Sequence, residues 1–236
     1  MTTQHSHDTR PDRDPSSRLR DDEIGRLLRA AADVRDATPA DHVGLVPPRW
    51  VARPSDTAGV AALMRVAHEH GLAVVARGAG TKQDWAAPPR ALDLVIETTG
   101  LAEVIEYAPD DLVLRVGAGV RLETIEDLLA ENGQRLGIDP ARRGTIGGAV
   151  ATAATGPMRL THGSVRDLVL GVTFVRADGT IAKAGGKVVK NVAGYDLGKL
   201  LTGAFGTLGI ITELALRLHP RAEATRWIGA PSMSAG

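Results

Sequence analysis

The sequence contains no cysteine among its 236 residues. This absence excludes disulfides, iron–sulfur clusters, thiolate zinc sites and cysteinyl-linked cofactors from the chain. A one-electron relay beyond a bound organic cofactor would therefore have to lie on a partner protein.

The chain also has few aromatic residues and no formal net charge. Phe, Trp and Tyr make up 3% of the chain, which is too few for rows of base-stacking platforms. Lys and Arg number 28, as do Asp and Glu, so no net charge draws the chain to nucleic acid or to an anionic membrane. The apolar runs are far shorter than a bilayer span, and the N-terminus lacks the apolar core of a signal peptide. We therefore expect no nucleic-acid partner and no direct membrane span.

The chain does contain enough apolar residues for a core, at 43%, and it has 27 glycines. Residues 1–22 mix charges of both signs with prolines, which predicts a disordered leader. Helical spacing of apolar residues over 23–37 predicts a helix in an N-terminal extension, residues 23–44. The main domain is predicted over 45–220, followed by a flexible tail at 221–236.

The first part of the main domain has the pattern of a βαβ unit. Trp50–Arg53 is predicted as a strand, and Ser55 as the N-cap of a helix that stops at Gly71. The next strand, predicted over 72–76, leads directly into a glycine-rich turn.

The second part is richer in strands. Residues 137–163 show little helical period, whereas Asp178-Gly179 marks the turn of a hairpin. A short helix is predicted over 197–202, and alternation over 210–218 predicts a closing strand.

The glycine turn, Arg77–Lys82 (RGAGTK), is the sharpest local feature. Glycine allows close approach of a ligand to the backbone, and successive N–H groups with nearby cations favour an anion such as pyrophosphate. An ordinary strand-to-loop turn accounts for the same residues. The Rossmann pattern fails because Gln83 stands where its third glycine should be, and the Walker A pattern fails because Val188 follows Gly186-Lys187.

Two further segments are poor in bulky side chains. Asp139–Gly156 suits a backbone that lies flat against a large planar ligand or against another backbone, and a tight structural crossover is the ordinary alternative. The third segment runs from Lys187 to Glu213. Its polar residues Asn191, Tyr195 and Asp196 are candidate anchors, and its lysines could equally form a solvated face.

Taken together, these segments resemble the flavoprotein family of vanillyl-alcohol oxidase and p-cresol methylhydroxylase, and within it most closely the FAD-binding subunits of glycolate oxidases. The matching segments are Trp50–Asp56, Arg77–Lys82, Asp139–Gly148, His162–Gly171 and Lys190–Leu218. The resemblance implies an α+β fold in which FAD lies between two subdomains, at about 45–100 and 101–220.

The resemblance also implies a set of FAD-binding residues. The residues are Arg77, Gly78, Ala79, Gly80, Thr81, Lys82, Asp139, Thr145, Gly147, Gly148, Thr152, Gly156 and Ile210. Of these, 77–82 would contact the pyrophosphate and Ile210 the adenine end. Arg77, Lys82 and the backbone donors of 145–148 would be binding groups. Relatives with covalent FAD often carry a histidine where this chain has Thr81, so noncovalent FAD is expected, and His162 is expected to be a packing or capping residue.

The implied activity is oxidation of a 2-hydroxy acid, glycolate to glyoxylate, with electrons passed to a second flavoprotein subunit and an iron–sulfur subunit. Only 16 residues follow Pro220, too few for the substrate-capping domain usual in the family. Two alternatives remain: a stand-alone oxidase or dehydrogenase of D-lactate or another alcohol, and a noncatalytic assembly subunit. No metal ligands or catalytic base are assigned. The location is expected to be cytoplasmic, with any inner-membrane contact made through partners.

Overall fold

The computed structural model describes residues 15–186, 196–224 and 226. In chain order the elements are α1 (Pro15–Ala31), β1 (Asp33–Asp36), β2 (Trp50–Arg53), α2 (Thr57–Glu69), β3 (Val74–Arg77), β4 (Leu94–Glu97), β5 (Val104–Ala108), β6 (Val113–Gly117), α3 (Leu122–Ala130), β7 (Gln134–Arg135), α4 (Ile146–Ala151), α5 (Arg159–His162), α6 (Val165–Leu168), β8 (Val169–Val175), β9 (Ile181–Gly185), α7 (Leu197–Leu201), β10 (Ile210–Arg217) and β11 (His219–Pro220). Short 3₁₀ turns lie at Pro39–Asp41 and Thr98–Gly100.

The first subdomain is built on a four-stranded sheet in the order β1-β2-β4-β3. Strands β2 and β3 each pair with β4 in parallel, and β1 pairs with β2 antiparallel. The predicted βαβ unit is therefore present, with β4 inserted between its two strands. Leu94, Val95 and Ile96 of β4 are fully buried, as expected for an uninterrupted apolar run in a parallel strand covered on both faces.

Helix α2 begins one residue later than predicted. Its N-cap is Asp56, whose carboxylate accepts a hydrogen bond from the Gly59 amide at 2.7 Å, and not Ser55. Gly71 follows the helix with a φ of +64°, a conformation that glycine adopts without strain.

The N-terminal prediction is wrong in two places. Helix α1 already includes residues 15–22, predicted as disordered leader, and it ends at Ala31, so that β1 occupies part of the region predicted as helix. A long-range contact favours the earlier helix start, since the Arg49 guanidinium donates to the Asp21 carboxylate at 2.6 Å. The later part pairs with β2 instead of continuing the helix. Residues 1–14 lie outside the described part.

The second subdomain contains a five-stranded antiparallel sheet in the order β5-β6-β10-β8-β9. The predicted hairpin is formed by β8 and β9, and the predicted closing strand β10 lies at the centre of the sheet. Helices α3 and α4 contribute Ile125, Leu129 and Ile146 to one core with Leu214 and Leu216 of β10. The sequence analysis missed strand β5 and the short helices within 137–163, because these elements are too short to show a hydrophobic periodicity.

The two subdomains meet at α2. Val175 at the end of β8 and Ile210 at the start of β10 pack into the same buried cluster as Val60 and Leu63 of this helix. The end of β3 and the start of β10 consequently face each other across a cleft.

No helix in the described ranges is both long enough and apolar enough to cross a bilayer.

Replacement of Leu94 by alanine should lower the free energy of unfolding by about 2–5 kcal/mol, because its side chain is fully buried in the central strand of the first sheet. The same replacement at Leu45, which is 94% exposed, is the matched control and should change it by less than about 0.5 kcal/mol. Urea unfolding followed by circular dichroism measures both. Equal losses in the two variants would contradict this account of the core.

Candidate functional site

A cleft between the two subdomains carries most of the predicted site residues. Its inner cavity has a volume of about 360 Å³, and a second cavity of about 880 Å³ lies on the outer side of the glycine turn. Both share Arg77–Thr81 as a wall. The predicted residues that line the inner cavity are Arg77, Gly78, Ala79, Gly80, Thr81, Lys82, Thr145, Gly147, Gly148, Thr152 and Ile210.

Two predicted site residues, Asp139 and Gly156, are not part of either cavity wall. They contact each other instead, since a Cβ on Gly156 would collide with the Asp139 carbonyl oxygen. The Asp139 carboxylate also accepts hydrogen bonds from the Met158 amide at 3.1 and 3.2 Å. This pair braces the chain that leads into α5.

The glycine turn lies directly against the N-terminus of α4. A Cβ on Gly78 would collide with the Thr145 hydroxyl, and one on Gly144 would lie 2.9 Å from the Thr81 hydroxyl. Gly80 has a φ of +72°, a region that other residues rarely adopt. The first two glycine segments of the sequence thus form one surface, and the absence of side chains permits their contact.

The backbone of α4 does not supply the free donors that the sequence predicted. The Ile146 and Gly147 amides donate to the carbonyls of Val120 and Ala118 at 2.9 Å. The Gly148 amide donates to the hydroxyl of the N-cap residue Thr145 at 3.2 Å. These donors stabilise the packing of α4, so the helix offers the ligand a small-residue wall and no unpaired amide at these three positions.

Arg77 does not supply a free positive charge either. Its Nη2 donates to the Asp41 Oδ1 and to the Glu97 Oε1, each at 2.7 Å, and its side chain is largely buried. Two carboxylates therefore already bind this guanidinium. The predicted binding role of Arg77 becomes a contribution to the wall of the cleft.

Lys82 is the second buried cation of the site. The residue is 7% exposed, and its Nζ donates to the Thr81 hydroxyl at 3.2 Å. In the described part of the chain no carboxylate pairs with it, since its neighbour Arg142 takes the Asp84 carboxylate at 2.6 Å. Burial, and secondarily repulsion by Arg142, lowers the pKa of the Lys82 ammonium. An anion bound beside Nζ would stabilise the charged form.

Phe205 is a site residue that the sequence analysis missed. It lines the inner cavity, is 44% exposed and has a φ of +53°. Its amide donates to the Ala151 carbonyl at 2.8 Å, which holds the loop against α4. A left-handed aromatic residue is costly, and such strain is concentrated at binding sites. The sequence did offer a signal for this residue, because phenylalanine is rare in the chain and this one lies between Gly203 and Gly206.

Two of the remaining candidates, Asp196 and His162, have other contacts, and the other two, Tyr195 and Asn191, are outside the described residues. Asp196 caps α7 by accepting from the Lys199 amide at 3.0 Å. His162 packs on His219, with ring centroids 4.4 Å apart. Among the residues that the structure describes, no group of three or more His, Asp or Glu could hold a metal ion.

The cleft can accommodate an extended, partly anionic ligand. Its wall combines apolar side chains and glycine backbone, and its volume is in the range of ligand-binding pockets. Lys82 provides a charge for an anionic group, and Phe205 provides a flat apolar surface. FAD has both features, a diphosphate and extended ring systems, so the residues present fit this cofactor.

The chain is similar in sequence to several known proteins. The chain is 38% identical to the D-lactate dehydrogenase of Archaeoglobus fulgidus over 172 residues, covering 72% of the chain and 39% of that protein. It is 42% identical to glycolate oxidase subunit GlcE of Escherichia coli over 125 residues, covering 52% of the chain and 36% of the subunit. Glycolate oxidase subunit GlcD of Bacillus subtilis is 33% identical, with coverage of 86% and 42%.

Structural similarity supports the fold alone. A structure of alkyldihydroxyacetonephosphate synthase superposes with a TM-score of 0.74 and 22% identity, covering 92% of this chain and 42% of the synthase. In each of these four comparisons the chain spans less than half of the other protein's length.

The family model described as "FAD binding domain" matches residues 48–185, more than half of the chain. This segment includes β2, the glycine turn, α4 and the β8–β9 hairpin, and hence most of the cleft. The α+β FAD-binding fold and FAD as its cofactor are thereby confirmed. The chain belongs to the FAD binding domain family.

Proposed function

We propose that this chain binds FAD noncovalently in the cleft between its subdomains and is the FAD-binding part of an oxidoreductase acting on 2-hydroxy acids. The observation that carries the proposal is Lys82, a buried ammonium without a carboxylate partner in the described chain, on the wall of a cleft made by the family's glycine segments. A dinucleotide diphosphate would satisfy this charge.

The residues of the cleft would divide the binding of FAD among them. Lys82 binds the diphosphate, while Gly78 and Gly80 allow the backbone to approach it closely. Ile210, at the start of β10, contributes to the wall near the adenine end. Phe205 would offer a flat apolar surface to one of the ring systems. By the family resemblance, Thr81 occupies a position at which relatives with covalent FAD often carry a histidine, and a threonine hydroxyl provides no imidazole nitrogen for such a bond.

The reaction proposed is oxidation of the carbinol carbon of a 2-hydroxy acid to a 2-oxo acid. Bound FAD supplies the two-electron acceptor chemistry, and the protein supplies orientation and exclusion of water. Glycolate is the leading substrate because two of the relatives are glycolate oxidase subunits. The D-lactate dehydrogenase relative favours D-lactate as the second candidate.

Partner subunits complete the proposal. The chain has no cysteine for an iron–sulfur cluster, so we propose that electrons leave through a second flavoprotein subunit and an iron–sulfur subunit. A noncatalytic assembly subunit is the alternative that the same fold allows. A cytoplasmic location stays a prediction.

The purified chain should be yellow, with flavin absorbance at ~450 nm, and acid precipitation should release all the flavin into the supernatant. Glycolate or D-lactate, added anaerobically to the chain alone and to the complex isolated from its host, should bleach this absorbance at least in the complex. A folded, colourless chain that does not take up FAD would contradict the proposal. Colour without bleaching in the complex would support the assembly role, and a yellow pellet would contradict noncovalent attachment.

Replacement of Gly78 by alanine should reduce FAD content, because the added Cβ collides with the Thr145 hydroxyl and displaces the glycine turn. Flavin per folded protein, measured by absorbance, should be partly restored in the double variant Gly78→Ala/Thr145→Ala. Gly186→Ala is the matched control, since a Cβ there meets nothing within 4 Å. A Gly78→Ala protein with normal FAD content would refute the assigned position of the turn.

Replacement of Lys82 by methionine should weaken FAD binding at neutral pH by about 1.5–3 kcal/mol, the scale of a hydrogen bond to a charged group. In the wild type, binding favours the ammonium form. Affinity should therefore be constant below the pKa of free Lys82 and fall as the pH rises through it, beginning below the ordinary lysine value of 10.5.

The Lys82→Met variant should lack this alkaline decrease, and isothermal titration across pH measures it. Lys199→Met is the control, because Lys199 is half-exposed and pairs with Asp196 at 3.2 Å. An unchanged alkaline profile in Lys82→Met would exclude Lys82 as the diphosphate ligand.

A further inference from the structure

Asp41 is the most highly hydrogen-bonded carboxylate among the described residues, although it lies in a short turn outside both sheets. The residue is 3% exposed. It accepts from both terminal nitrogens of Arg35 at 2.7 and 2.8 Å, from the amide and the hydroxyl of Thr38 at 2.8 Å each, and from Arg77 at 2.7 Å.

These bonds connect the N-terminal segment to the glycine turn. Arg35 lies in β1 and Thr38 precedes the 3₁₀ turn, whereas Arg77 is the last residue of β3 and begins the RGAGTK turn. Glu97, paired opposite Arg77 in β4, binds the same guanidinium nitrogen from the other side. Arg77 is therefore fixed at its end by one carboxylate from the sheet and one from the N-terminal segment.

The stem of Arg77 in turn lies under the glycine turn. A Cβ on Gly80 would lie 3.8 Å from the Arg77 Cδ, which is ordinary packing distance. The stem of the arginine side chain therefore lies beside the backbone of the turn at Gly80. If the guanidinium moved away from Asp41, the stem beneath Gly80 would move with it.

The charges in this cluster balance. Arg35 and Arg77 face Asp41 and Glu97, so the cluster leaves no excess cation for a ligand. Hydrogen bonds from the two arginines, of which that from Arg35 has the larger effect, hold the pKa of the Asp41 carboxyl well below its usual range. The carboxyl is therefore charged at neutral pH. Without that charge, Arg77 would be partly released next to the anion-binding cleft.

We propose that Asp41 is a positioning residue for FAD: it orients Arg77 so that the glycine turn keeps the shape that admits the diphosphate beside Lys82. The inference rests on the proposed function, because it requires FAD in the cleft. It adds that the N-terminal segment, which precedes the family match at residue 48, contributes this carboxylate to the cofactor site.

The test compares Asp41→Asn with Asp93→Asn in the full chain. Asp93 is the matched control: it lies in the same subdomain, accepts from the Ala73 amide at 2.9 Å, pairs with Arg49 at 3.3 Å and does not line either cavity. FAD dissociation constants are measured by titration under conditions in which circular dichroism shows both variants folded. Amide hydrogen exchange of residues 78–82 is measured without FAD.

Asp41→Asn should raise the FAD dissociation constant on the order of tenfold, the lower end of the effect of losing a group that orients a metal ligand, and should accelerate exchange in 78–82. Asp93→Asn should leave both unchanged, although each variant is less stable than the wild type. If Asp41→Asn does not fold, Thr38→Val, which removes one of the five hydrogen bonds, should accelerate the same exchange.

Three results would overturn the inference: equal FAD affinity in the two aspartate variants, tighter binding by Asp41→Asn, or unchanged exchange in 78–82 in the variant that folds. Failure of the wild-type chain to bind FAD would instead overturn the proposed function. The two failures are therefore distinguishable.

Discussion

The contact between the RGAGTK turn and the N-terminus of α4 is the constraint on which the cleft depends. The turn follows β3, a parallel strand in the sheet of the first subdomain, and α4 packs against the antiparallel sheet of the second. They approach so closely that a methyl group on Gly78 would strike the Thr145 hydroxyl. Thr145 is also the N-cap that holds the first turn of α4. One hydroxyl thus stabilises the helix and defines how near the two halves of the cleft can lie.

Some cations on this surface are paired with carboxylates and one is not, and this difference determines which kind of ligand the cleft can bind. Arg77 is neutralised by Asp41 and Glu97, and Arg142 by Asp84, whereas Lys82 has no carboxylate partner within the described residues. Bringing an ammonium out of water without a counter-ion is unfavourable, and an anionic ligand removes that cost. The neutralised arginine has a different effect, because a fixed guanidinium keeps the backbone above it in place. The same turn therefore contains two cations with different roles. Arg77 supports the backbone, and Lys82 is available to bind an anionic ligand.

The sequence predicted the class of the fold and most of the cleft, because these depend on strong local signals. The glycine-rich segments, the hairpin turn at Asp178-Gly179 and the alternation over 210–218 indicate their structure without knowledge of distant contacts. The failures have a common cause in long-range contacts. Asp21 in α1 pairs with the distant Arg49, the neutralisation of Arg77 depends on Asp41 from 36 residues earlier, and Asp139 is oriented toward the Met158 amide instead of the cleft. Phe205 was missed because its φ of +53° is a property of the folded loop.

The central claim is that the diphosphate of FAD binds beside Lys82. The most direct measurement is a crystal structure of the chain grown with FAD, in which the positions of the phosphate oxygens can be read from the electron density. The account predicts a phosphate oxygen within about 4 Å of the Lys82 Nζ, the usual limit for an ion pair, with Arg77 still bound to Asp41 and Glu97. A diphosphate bound away from the RGAGTK turn, with Lys82 making no contact to it, would contradict the account.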